Sequence, residues 1–267
     1  MKTTERAIGL ASSSMRRKAA LEQIPDLKVI NVGGGEELSE DDLLTIALSK
    51  IAFAYPQILE SCQSMSTNLI GVLAADTNTL IKVLTNSGSQ LERKNKPHKP
   101  DNTLAHFRRM AKVAEKHGSG YYEVAAASAF QTETGSVAGI ETTRVTLNSA
   151  KLNQLTSDDG FANYQDVFAS FYNSKAYCDS GCHALKITDI SAGISLPVLV
   201  KMGAVEKVNG IDLKELRSQV LEETLKQALL NVAVGFSPQV LDKIHPDALA
   251  CLMGWSWTNE VVDFILQ

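Results

Sequence analysis

At 267 residues, with 44% hydrophobic and 21% charged residues, the chain can build one large domain, or an ordinary domain with an appendage, and is not disordered. A net charge of −4 argues against a nucleic-acid partner, which needs a basic face, but leaves room for local cations around one small anion. No apolar run approaches roughly 18 residues, so no membrane partner is expected. In MKTTERAIGLASSSMRR the arginines follow the apolar stretch, the wrong order for a secretory signal, which predicts a cytoplasmic protein.

Along the chain, Ala7 to Ala11 predicts a short buried strand, followed by a serine loop and a helix over MRRKAALEQI that ends at Pro25. LKVINV predicts a second strand, closed by the glycine turn at 33–35. Ser39 with Asp42 opens a helix in the manner of a capping box, and Pro56 is expected to stop that helix near Tyr55. NLIGVLAAD is a continuous apolar run ending in a carboxylate, the pattern of a strand buried on both faces. Residues 86–102 are polar, rich in lysine and broken by prolines, and predict an exposed loop. A helix over Thr103–His117 follows, then strands at Tyr121–Phe130 and Val137–Leu147. After a polar helical stretch, ALKITDI and ISLPVLVKM predict further strands. The alternation indicates an α/β architecture. From Asn209 the pattern turns helical, with apolar residues at 213, 216, 220, 225, 229 and 232, and Ser237-Pro238 opens another helix. A boundary near 209 is the expected domain edge.

Cys62, Cys178, Cys182 and Cys251 form no disulfide framework or zinc knuckle, and the five histidines have no ligand spacing. A structural zinc site is therefore not expected. Four other features can carry chemistry, each with a plainer alternative. LASSSMRRK (10–18) turns from strand through serines into a helix start, where unpaired N–H groups and hydroxyls attract an anion. Arg16 and Arg17 lie in the first helical turn and would neutralise that anion; the alternative is a capped helix with solvated arginines. Lys50 projects on the apolar stripe of its helix, so it either snorkels out or meets a negative partner. Asp76, at the mouth of a dry strand, could hold a metal, orient a water or cap a turn with Thr77. The lysines of KPHKPD (96–101) are either a solvated charge run or part of a binding site.

In this order, these features resemble the Maf family of nucleoside triphosphate pyrophosphatases. The family's serine loop and paired arginines match LASSSMRRK, its acidic pair Glu36-Glu37, its helical lysine Lys50, and its Asp-Thr strand end Asp76-Thr77. Its Lys-Pro matches Lys99-Pro100, with Lys96-Pro97 as the rival. The segments 142–155, 180–186 and 193–198 are similar to later family segments, so the resemblance spans about residues 7–205. Met15, where the family has Pro, the run YYEVAAAS, His183 and Lys186 depart from the pattern.

The resemblance implies a two-lobed α/β Maf/inosine triphosphatase-like fold around a mixed central sheet over residues 1–208, with a helical extension at 209–267. It implies hydrolysis of a nucleoside triphosphate to monophosphate and pyrophosphate, with house-cleaning of non-standard nucleotides as one form. A divalent cation, Mg²⁺, would bridge phosphates and carboxylates, and Asp76 would act as general base for the water or as metal ligand, with Glu37 helping. Ser12, Ser14, Arg16, Arg17, Lys50, Lys99 and Lys186 would bind the substrate. The alternative is a nucleotide-binding regulatory protein without turnover, which the changes at 183–186 favour. The apolar extension is expected to dock on its own domain or pair two copies as a homodimer.

Overall fold

The structure is a computed structural model and describes residues 5–35, 42–85, 88–94, 100–117, 119–172, 195–213, 219–256 and 263–264. It is α/β with a mixed sheet and flanking helices, as the sequence indicates. The chain divides into two compact units. Unit 1 comprises Met1–Thr77, Ala125–Glu141 and Leu230–Ser256, and unit 2 comprises Asn78–Val124, Thr142–Leu229 and Trp257–Gln267.

Unit 1 begins with β1 (Arg6–Ala11), α1 (Met15–Leu21), β2 (Leu27–Val32) and α2 (Leu43–Met65). β3 (Asn68–Thr85), β5 (Ser119–Gln131) and β6 (Ser136–Asn148) are long strands of which each unit holds a part. The strand order in unit 1 is β2-β1-β3-β5-β6, with β1 parallel to both β2 and β3. Alternate residues of β1 and β3 supply two separate cores. Ile8, Leu10, Leu73 and Ala75 face α1 and the chain after Leu230, while Ala7, Ala11, Val72 and Ala74 face α2. The run is apolar throughout because both faces are covered.

The helices show where sequence patterns mislead. α1 is shorter than MRRKAALEQI suggests: after Leu21 the chain tightens into i→i−3 bonds, Gln23 N to Ala20 O and Ile24 N to Leu21 O, ahead of Pro25. α2 does not stop at Pro56 but runs on to Met65. Pro56 and Ala52 both lie on the exposed side, so the Ala52 carbonyl that loses its partner faces water. Beyond the proline, burial of Ile58 and Cys62 rewards continuation, and Ser66 ends the helix in a left-handed conformation. By length and hydropathy α2 could cross a membrane. One stripe of it, at Ile46, Ala47, Lys50, Ile51, Ala54 and Ile58, is buried, and Ala47, Ile51, Ala54 and Ile58 pack against the sheet of unit 1.

α2 is capped by Asp42; Ser39 lies outside the described residues. The Asp42 carboxylate accepts from Leu44 N at 2.9 Å, Thr45 N at 3.1 Å and Thr45 Oγ1 at 2.5 Å. These bonds, led by the Thr45 hydroxyl, hold its pKa below the usual carboxylate value. A lowered pKa gives stability that is present above the unfolded value, about 4, and is lost as pH falls through the folded one. Asp42→Ala should therefore melt earlier at neutral pH, and the gap from the wild type should narrow in melts near pH 3. A gap that stays constant with pH would rule out the charge contribution.

Gly9 sets the approach of α2 to the sheet. A Cβ there would lie 2.7 Å from Ile58 and 3.0 Å from Val72. Gly9→Val should cost about 1–3 kcal/mol by overpacking, read as a fall of roughly 2–4 °C in Tm per kcal/mol. An unchanged Tm would mean that α2 can retreat at no cost.

Unit 2 corrects the sequence reading in three places. The expected loop at 86–102 contains β4 (Gly88–Lys94), which pairs antiparallel with β3 from Thr79↔Lys94 to Thr85↔Gly88. Polarity hid it, although a backbone ladder needs no apolar side chains. α3 then starts at Pro100 and runs to His117. ISLPVLVKM is not a strand but contains α6 (Leu196–Lys201), with Pro197 in its first turn, where a missing N–H does no harm. The helical pattern expected from Asn209 opens instead with β8 (Ile211–Asp212), which pairs with β7 (Val205–Val208), and α7 (Gln219–Ala233) follows. Between α3 and α6 lie α4 (Ser149–Leu155) and α5 (Asp158–Tyr172). Phe107 and Tyr164 pack edge to face at 5.0 Å, and Tyr164 accepts from Ser195 N at 3.0 Å.

The boundary expected near 209 falls in the turn between β7 and β8, inside unit 2. Leu230–Ser256 belong to unit 1 and include α8 (Pro238–Ile244), capped by Ser237 as expected, and α9 (Ala248–Ser256).

Candidate functional site

The ends of β1 and β2 lie side by side with the middle of β3 in unit 1, since Ala11 pairs with both Val32 and Ala74. Ligands of α/β sheets bind at this edge. Beyond β1 come Ser12–Ser14, and beyond β2 come Gly33–Gly35. β3 does not end at Asp76, as the sequence suggested, but outruns its neighbour and carries Asp76 and Thr77 past the last β1 pair. The effect is similar: a carboxylate placed just beyond the end of β1.

Lys50 meets a partner rather than snorkelling to water. Its Nζ donates to Asp76 Oδ1 at 3.1 Å, with the two side chains 6% and 15% exposed. Helix period places Lys50 between Ala47 and Ile51 on the buried stripe, and Asp76 on β3 supplies the carboxylate that a buried ammonium needs. The glycine turn crosses its stem closely, since a Cβ on Gly34 would lie 3.0 Å from Lys50 Cγ and Cδ. In the sequence that turn does no more than close β2.

The serine loop is organised by its own hydroxyls. Ser12 Oγ accepts from Ser14 N at 3.2 Å, and Ser14 Oγ caps α1 by accepting from Arg17 N at 3.4 Å. No acidic residue occupies the first turn of α1. Arg16 is half-buried. Arg17 is buried and turned inward: Nε donates to Val234 O at 2.7 Å and NH1 to Ala75 O at 2.6 Å and Ser12 Oγ at 3.3 Å. Its NH2 donates to Thr77 Oγ1 at 3.0 Å. Thus the structure brings Ser12, Ser14, Arg17, Lys50, Asp76 and Thr77 together within one unit. Glu37, Lys96, Lys99, His183 and Lys186 lie outside the described residues.

Val234 is a contributor that sequence reasoning missed. The only signal was Gly235 between a helix and Ser237-Pro238, which says that the chain turns but not what it touches. Among the described residues no three His, Cys, Asp or Glu side chains converge as a metal cage. Mg²⁺ needs none: it is held by one or two carboxylates, with phosphate oxygens and water completing its shell. The hard oxygen donors of Asp76 fit that demand.

Against known proteins, the family model described as Maf-like protein matches residues 7–164, more than half of the 267 residues. No curated protein matches the sequence significantly.

Proposed function

This chain belongs to the Maf-like protein family, and on that premise we propose that it hydrolyses a nucleoside triphosphate to the monophosphate and pyrophosphate. The observation that supports this best is the Lys50–Asp76 pair beside the serine loop. It sets a proton acceptor and a cation next to hydroxyls that can donate to phosphate oxygens.

Asp76 takes a proton from water as the water oxygen bonds to the α-phosphorus. The α–β bridging P–O bond breaks, and pyrophosphate leaves with its electrons. Lys50 fixes the direction of the carboxylate and offsets phosphate charge. Ser12, Ser14 and Arg16 bind the triphosphate, with Lys99 and Lys186 carried over from the family resemblance. A bound divalent cation would supply charge neutralisation, with Asp76 and Glu37 as its protein ligands. Positioning and electrostatics carry nearly all of the catalysis.

A screen of common and modified nucleoside triphosphates with Mg²⁺, read as pyrophosphate, tests the reading. Turnover should appear with at least one of them and vanish with a chelator. Lys50→Met should lower the rate by about 10²–10³-fold, the usual cost of losing one aimed electrostatic donor. A chain that binds nucleotide and turns over none would instead be a nucleotide-binding regulator.

A further inference from the structure

The segment 234–237 lies beyond the family match, yet it is wired into the site. Arg17 Nε donates to Val234 O at 2.7 Å. Ser237 N donates to the buried Ser128 Oγ on β5 at 2.8 Å. Gly235, at φ +68°, passes so close that a Cβ there would lie 2.8 Å from both Thr77 Oγ1 and Ala126 Cβ. Hydrogen bonding, backbone conformation and close packing thus agree that this loop is seated against β3 and β5.

The same guanidinium reaches the two residues that flank Asp76, through Ala75 O at 2.6 Å and Thr77 Oγ1 at 3.0 Å. A guanidinium is a rigid planar fork, so acceptors on its two sides are held in fixed relation. A buried cation is retained where its donors are matched, and these donors go to the chain itself.

We propose that Arg17 is a positioning residue rather than a phosphate ligand, and that residues 234–237 buttress the Ala75–Asp76–Thr77 stretch of β3 through it. The C-terminal part of the chain then sets the aim of the reacting carboxylate. The catalytic part of this idea rests on the reading of Asp76 given above; the brace itself does not.

The test uses the full chain and two variants. Arg17→Lys keeps the charge and loses the fork. Gly235→Ala leaves Arg17 intact and pushes on Thr77. Amide hydrogen exchange across residues 74–77 should rise about tenfold or more in both, while α2 peptides change little. The kcat should fall about 10²-fold, as for a misplacement of roughly 1 Å, with KM nearly constant. Thr77→Val, a milder loss of one acceptor, should give the same pattern at smaller amplitude if a stronger variant fails to fold. Unchanged exchange at 74–77, or Arg17→Lys acting on KM alone, would overturn the brace. A wild type that hydrolyses no nucleoside triphosphate would end the enzymatic reading, and exchange at 74–77 would still decide the brace.

Discussion

Asp76→Asn should lower pyrophosphate release by about 10²–10⁴-fold, the usual worth of general-base help. The substitution keeps the shape but removes the charge and the ability to take a proton. It also leaves the buried Lys50 ammonium facing an amide, so some loss of stability should accompany the loss of rate. Removing both charges in Lys50→Met/Asp76→Asn should recover part of that stability and none of the rate. Binding of metal-free triphosphate should persist in Asp76→Asn, because a carboxylate repels phosphates that lack their cation. A rate left untouched would show that another carboxylate reacts, and Glu37 would be the next to change.

Ending the chain after Asn209 should abolish cooperative folding of unit 1. The deletion removes Leu230, Val234, Phe236, Val240, Leu241, Ile244 and Leu252 from a core in which each is at most 2% exposed. At roughly 1.5–3 kcal/mol per side chain, about 10–20 kcal/mol of burial is lost. A whole domain is stable by only about 5–15 kcal/mol. Near-ultraviolet circular dichroism and thermal melts should show a chain without fixed packing. A truncated protein with an unaltered melting temperature would mean that these residues do not carry the core.

Much of this site was legible because its physics is local. β1 and the buried part of β3 announce themselves as continuous apolar runs, since both faces are covered. Lys50 could be placed on the buried stripe by helix period alone, although whether it snorkelled or paired depended on where β3 would put Asp76. The errors have equally physical causes. Pro56 is a strong breaker in sequence, but its lost bond faces water while residues on either side bury one face. The polar β4 pairs through its backbone, which no hydropathy pattern reports. The inward turn of Arg17 depends on a carbonyl 217 positions away, and nothing in LASSSMRRK could reveal it.

The proposed reaction of this family member cleaves between the α- and β-phosphates. Phosphorus NMR of the complete reaction, on the best substrate of the screen with Mg²⁺, tests it most directly. One monophosphate and one pyrophosphate should appear for each triphosphate consumed. Appearance of the nucleoside diphosphate with inorganic phosphate would contradict it.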